Sequence, residues 1–438
     1  MEYWCNSQSM VANISKLNTM LGNYFKIAIA VLRRKKFFTF ISLFGISFTL
    51  TIVIIVAAFV DNMFSAGYPD INRDRELFVA RMQVRSSNNE SGINAGPSYY
   101  FIDHYVSRLK TPVRIAILSG NSPVTTYLNN KKQVSSVRST NDQFWEVLQF
   151  QFIEGKPYTK QQIDNGEKVV VISEAVRSNY FSEGVAAVGK YIELLNMQYR
   201  VTGVVKNLPS TSNVYADIFI PLSLTQADIH EPSLIGEHTC ILLLDSKADI
   251  PKMKEEFNQM AAKVPMDDKK IDNKIFNKKI VFADTYLESF VRDIHAGFTE
   301  GASAGVDVFI IIVSIFFLLF LLLPTLNLVN INISRIMDRY SEIGVRKAFG
   351  ASSRTLVYQF IVENLILTFI GGAIGVGLSF IVIQVINSRD FMDNNRLAVN
   401  FHVLIFGLLA SVVFGLLSGV YPAWRMSRMN VVMALKAQ

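Results

Sequence analysis

Gly184 to Tyr191, GVAAVGKY, has the G-x-x-x-x-G-K spacing of a phosphate-cradling loop. In such a loop backbone N–H groups hold the phosphates, the lysine reaches the outer ones, and a Ser or Thr hydroxyl binds magnesium at the start of a helix. Tyr191 stands where that hydroxyl is needed, and the residues after it, YIELLNMQYRVTGVV, read as strands. The chain is therefore expected to have no ATP-hydrolysing loop of its own. Gly301 to Gly305, GASAG, fits the nucleophile-elbow spacing around Ser303. An elbow needs a strand before it and His and Asp partners, whereas Ser303 directly precedes a long apolar run and reads as part of a small-residue hinge. The histidines, His104, His230, His238, His295 and His402, show no paired spacing. Glu237, His238 and Cys240 are neighbours but lack the repeated spacing of a zinc site. No constellation calls for a catalytic residue, a metal or a cofactor in this chain.

What such residues would sit on is mostly membrane and one large domain. The 438 residues are 50% hydrophobic with mean hydropathy +0.28. Apolar runs at about Phe37–Val60, Val308–Val329, Ile361–Ile386 and Phe401–Trp424 each reach the roughly 18–20 residues that span a bilayer. In lipid the backbone must satisfy its own polar groups, so each is expected to be a helix. The fold class is thus an α-helical membrane protein with four transmembrane helices and a large α+β extracytoplasmic domain inserted between the first and second spans. Residues 1–36 form a cytoplasmic segment with an amphipathic helix, 37–60 the first span and 61–306 the outer domain. Residues 307–333 form the second span, 334–358 a cytoplasmic linker and 359–386 the third span. A short outer turn at 387–400, the fourth span at 401–424 and a cytoplasmic tail at 425–438 complete the order.

Charge orients these elements. Residues 1–36, 334–358 and 425–438 together carry a net +11, whereas 61–306 carries −2. Excess Lys and Arg beside spans marks the inner side, so both termini and the linker lie inside and the large domain outside. The pI near 9.1 then needs no nucleic acid to explain it. Within the outer domain SYYFIDHYVSRL and DIPKMKEEFNQMAAKV have helical spacing, with Pro251 suited to a first turn. KQVSSVRST, KVVVISEAV, KYIELLNMQYRVTGVVKNL and YADIFIPLS carry strand-like runs. LESFVRDIHAG reads as a helix leading down to the hinge. Cys5 and Cys240 fall on opposite sides of the membrane and cannot pair.

Two stretches near the inner face stand out. Glu363 and Asn364 sit at the start of the third span, where an ionisable group either marks function or snorkels to the surface. Gly371, Gly372 and Gly375 follow, and Gly371-x-x-x-Gly375 is a small-residue face for close helix packing. The linker, RYSEIGVRKAFGASSRTLVYQF, spaces Ile336, Tyr340 and Ile343 as a helix does and sets Glu342 four residues before Arg346. Gly350 can stop that helix, and Ser352 or Ser353 can cap the next. Ile343, Val345 and Phe349 remain as apolar knobs beside Arg346 and Lys347. That fits a helix docking into a protein groove, and equally a basic loop that only sets topology.

The same linker and the third span resemble the signature of FtsX-like, MacB-type ABC transporter permeases, roughly E-I-G-I-R-K-A-x-G-A, then Q-F, Glu and G-G-x-x-G. Glu342, Ile343, Gly344, Arg346, Lys347, Ala348, Gly350, Gln359, Phe360, Glu363, Gly371, Gly372 and Gly375 stand at matching places. The tail YPAWRMSRMNVVMALK is similar to the family's ending but departs from it at Met426 and Val431. DQFWEVLQFQFIEGKPYT, EKVVVISEAV and AVGKYIELLNMQYRVTGVVKNLPSTS resemble the family's periplasmic core domain, which makes Gly189-Lys190 a turn into a strand. The resemblance implies a permease in the bacterial inner membrane, working with a second copy or a related permease, amid membrane lipid. ATP and Mg would be bound by a separate cytoplasmic ABC-type ATPase, and a periplasmic adaptor is compatible with the scheme. It implies that Glu342, Ile343, Gly344, Arg346, Lys347, Phe349 and Gly350 form the segment coupling to that ATPase, and that Glu363, Gly371, Gly372 and Gly375 pack helices. Nucleotide-driven motion would reach the outer domain for export or extraction of an amphiphilic, peptide-like or lipoprotein cargo. The alternative is a mechanotransmitter that regulates periplasmic cell-wall hydrolases, although the outer domain of such proteins is usually smaller.

Overall fold

The computed structural model describes residues 36–87, 91–128, 131–181, 184–194, 196–225, 232–266, 268, 271–272, 274–294, 305–337, 345, 349–350, 352–389 and 397–399, with scattered positions from Phe401 to Trp424. Two compact units result, an outer one of Phe64–Ile311 with 390–396 and a helical one formed by the rest.

The outer unit is built on a ten-stranded mixed sheet. Its path runs Glu76–Val79, His238–Leu243, Arg114–Ser119, Lys131–Thr140, Ile218–Pro221, Val169–Ser173, Met197–Val205, Phe152–Gly155. Ser122–Leu128 adds to Lys131–Thr140, and Tyr191–Leu194 adds to Met197–Val205. Pairing is parallel between Lys131–Thr140 and Ile218–Pro221 and between Val169–Ser173 and Met197–Val205. The sequence explains why these strands sit centrally. VVVIS at 169–173 is buried throughout, with Val169 and Val171 in one cluster around Phe144 and Phe219, and Val170 and Ile172 in another around Tyr199. A strand covered on both faces reads as a continuous apolar run because alternate side chains enter different cores. At the other end of the sheet Leu77, Cys240 and Leu242 face a third cluster, which holds Met253 and Phe257 of helix Ile250–Lys263. Pro251 sits in that helix's first turn, as its fixed φ allows. A smaller antiparallel sheet joins Ile235–Gly236, Gly92–Pro97, Met82–Ser86 and Phe276–Val281.

The helical unit contains long helices at Lys36–Phe64 and Ser353–Ser388, and most of a third at Val306–Met337. Each outlasts its apolar run, because the backbone ladder continues through the polar flanks. Thr39–Phe64 and Val357–Ser388 are long and apolar enough to cross a membrane, and Val306–Leu319 is a shorter apolar stretch, among the described residues. The described positions from Phe401 to Trp424 are helical as well.

Candidate functional site

The third long helix begins on the sequence signals expected of it. Ser352 accepts from the backbone N–H of Thr355 at 3.2 Å and caps Ser353–Ser388. Just before it Gly350 takes a φ of +88°, a conformation that a side chain disfavours. The Phe349 N–H donates to Val345 O at 3.0 Å. Phe349 is 88% exposed and Val345 is also exposed. Glu342, Ile343, Gly344, Arg346 and Lys347 lie outside the described residues, as do 1–35 with the expected amphipathic helix and the tail at 425–438.

Farther along, the helix presents one buried stripe: Phe360, Glu363, Asn364, Leu367, Thr368, Gly371, Gly372, Gly375 and Ser379. The facing stripe on Lys36–Phe64 is Ile46, Leu50, Val53, Ile54 and Ala58. A Cβ on Gly371 would stand 2.7 Å from Ile46 Cγ2, and one on Gly375 only 2.9 Å from Ser47 O and 3.1 Å from Leu50 Cβ. The backbones approach this closely only because both positions lack side chains. The Thr51 hydroxyl lies 2.7 Å from Ser47 O in its own helix and 3.1 Å from Gly375 O across the seam. Gly407 repeats the device, its missing Cβ lying 2.9 Å from Ile54 Cγ1. Glu363 is 3% exposed on this stripe. Asn364 donates to Phe360 O and Thr368 to Asn364 O, so both satisfy their polar groups within the helix. Thr51, Ser47 and Gly407 were not legible as site residues. The only signal was the run of hydroxyls Ser42, Ser47, Thr49 and Thr51 within an apolar span.

The outer unit has its own junction, where the chain enters and leaves. Phe64, the last residue of the first helix, meets Phe290 edge-on at 5.2 Å, and Phe290 meets Phe309 at 6.1 Å. Helix Tyr286–Ile294, which carries Phe290, is fixed at its start by Thr285 and Glu288, whose side chain and backbone bond reciprocally. Burial acts to raise the Glu288 carboxyl, but Lys254 and the Thr285 bonds outweigh it and hold it below its ordinary value. One turn on, Arg292 grips Asp284 with two bonds of 2.6 and 2.9 Å, and both side chains are buried. Burial nevertheless pushes Asp284 upward, offset only in part by Arg292. Arg73 stacks over Tyr286 at 4.0 Å and bonds Asp70 at 2.8 Å. Glu76, 0% exposed, is pushed up to about 10 by burial and by the Asp70 charge, so it is protonated at neutral pH. Sequence reading placed a helix here but singled out none of these residues; among these pairings only Phe64–Phe290 and Arg73–Tyr286 join segments some two hundred residues apart.

The rejected motifs also have places. Gly184 and Gly189 take positive φ, and Tyr191 opens a strand where a phosphate loop needs a helix. Gly301 to Ala304 lie outside the described residues. No cluster of three metal-ligating side chains occurs among the described residues.

Residues 39–260 match the MacB-like periplasmic core domain and residues 314–431 the FtsX-like permease C-terminal region. The chain belongs to the MacB-type, FtsX-like permeases. The macrolide export ATP-binding/permease protein MacB of Wolinella succinogenes is 24% identical over 416 residues, covering 94% of this permease and 60% of that protein. A MacB 1 of Yersinia pestis is 26% identical over 304 residues, 69% of this permease and 43% of its own length. The permease thus spans about half the length of the curated relatives it matches. Among solved structures, a domain of a putative permease protein from Porphyromonas gingivalis aligns at 15% identity with a TM-score of 0.38, covering 50% of this chain and 92% of its own. The periplasmic region of MacB from Actinobacillus actinomycetemcomitans aligns at 15% and 0.33, covering 50% and 94%. Both likenesses are too slight to bear on the assignment.

Proposed function

We propose that this permease crosses the bacterial inner membrane four times, with both termini cytoplasmic, and transmits the motion of a separate cytoplasmic ATPase to its periplasmic domain. Two copies, or this chain and a related permease, form the working unit. The cargo is an amphiphilic, peptide-like or lipoprotein molecule exported or extracted from the periplasmic side. The relatives' names, which couple macrolide export with ATP binding, support an amphiphilic cargo. The observation that carries the reading is the order of matches, a periplasmic core domain at 39–260 followed by an FtsX-like region at 314–431.

The segment Glu342 to Gly350 is the seat for the ATPase, and an 88% exposed Phe349 beside a glycine stop supports it. The junction around Phe290 supports the outward half of the pathway, since one ring touches residues from both chain segments that enter the domain. The test is co-purification with a cytoplasmic ABC-type ATPase co-expressed with the chain. Phe349→Ala and Arg346→Glu should each lower coupled ATP turnover at least tenfold and weaken assembly, while membrane insertion persists. Unchanged assembly and turnover in both would reject the seat.

A further inference from the structure

A cavity of about 720 Å³ opens in the outer domain between the small sheet, the ten-stranded sheet and the loop Ser210–Tyr215. That volume falls in the range of small-ligand sites, roughly 300–1,000 Å³. Its walls come from seven separate chain segments, and glycines bring some of them together: a Cβ on Gly96 would stand 2.6 Å from His238 O, and one on Gly236 2.7 Å from Ser98 Cα. The lining carries two arginines, Arg81 and Arg138, and two acids, Glu237 and Asp293. Arg81 bonds Asp293 at 2.6 Å, and both are partly exposed.

Arg138 is different. It lies in the strand Lys131–Thr140, half-buried, and lines the cavity. Its Nε donates to Tyr215 O at 3.0 Å and its Nη1 to Ser119 O at 3.1 Å. Both acceptors are neutral carbonyls. They orient the planar guanidinium, which has five donors in all, and leave its charge uncompensated. Among the described residues Arg138 forms no ion pair, and burial alone lowers it to about 10 with no acid opposing the shift. A desolvated cation held by carbonyls at a cavity wall lacks the partner that ordinarily balances such a charge.

We propose that this cavity binds a small amphiphilic anion, with the ligand's carboxylate or phosphate group paired to Arg138 and the Ser210 hydroxyl and Asn213 amide lining the same space. The fixed fork of the guanidinium matches the two oxygens of such a group. The site stands on the geometry of the outer domain alone, so it holds whether or not the chain transmits motion from an ATPase.

Binding is measured on the full chain in a neutral detergent by isothermal titration. The ligands are an N-acyl amino acid, the corresponding neutral amide and a short-chain phosphatidic acid. At least one anion should bind at least tenfold more tightly than the amide. Arg138→Gln should reduce that affinity tenfold or more, whereas Arg81→Gln should change it less than threefold. A preference for the carboxylate points to a peptide-like or fatty-acid ligand, and a preference for the phosphate to a lipid headgroup. Equal binding of amide and anions to the unaltered chain, or no binding of either anion at millimolar concentration, would overturn the proposal even if Arg138→Gln fails to fold.

Discussion

From Val169 to Ser173 every side chain is buried and every second one enters a different core, whereas the seam between Lys36–Phe64 and Ser353–Ser388 is made where side chains are missing. The outer domain gains from exclusion of water, from aromatic rings around Trp145 and from hydrogen-bonded ladders. In lipid the hydrophobic effect does not draw helices together, so close backbone contact at Gly371 and Gly375 and the Thr51 hydroxyl contribute to the seam. The outer domain also buries charge, at Asp284–Arg292 and at Glu76, and that makes it sensitive to losing a partner and to pH. The seam is sensitive to volume.

The largest break should come from Arg292→Ala, which leaves the Asp284 carboxyl buried without its two-bond partner. Removing one member of a buried pair costs about 3–5 kcal/mol. The denaturant midpoint of the outer domain, followed through Trp145 fluorescence, should fall accordingly. A loss below about 1 kcal/mol would mean that water reaches Asp284.

Gly375→Val should come next, at about 1–3 kcal/mol for overpacking. The added Cβ meets Ser47 O and Leu50, and backbone cannot rotate away. Helix association, read by cysteine cross-linking between the positions of Leu50 and Ile374, should weaken, while the outer-domain midpoint stays unchanged. Because the cause is steric, the loss should be equal at pH 5 and pH 8.

The effect that contrasts the two regions by pH belongs to Glu76→Gln. The folded chain keeps a proton on Glu76 from its ordinary 4.5 up to about 10, whereas the unfolded chain releases it above 4.5. The folded state therefore binds more protons in that window, and stability falls as pH rises through it. Glutamine removes this slope, so the variant should gain stability at pH 8 and little at pH 5 by thermal melting. An equal shift at both pH values would show that Glu76 is ionised in the folded chain.

Some of these features were legible in the residues. Ser352 and Gly350 announced a helix start and a stop, because capping depends on local backbone geometry and a side chain three residues away. Gly371-x-x-x-Gly375 announced a close approach, but not that Ile46, Ser47 and Leu50 would fill it. The strand runs VVVIS and IFIP were legible as strands, though not as buried nor as divided between two cores. Arg138, Glu76 and Phe290 carried no sequence signal at all.

What the sequence determined by itself was everything set by period, length and charge: apolar runs long enough to span, the basic flanks, the turns and caps, and the family signature at Glu342 to Gly375. Only the tertiary structure decided which glycine meets which backbone, which carboxyl loses its charge, and which arginine lines a cavity without an ion pair among the described residues. Those outcomes depend on distances between segments far apart in the chain. A buried charge or a missing Cβ acquires its meaning from the neighbour that folding brings to within about 3–4 Å.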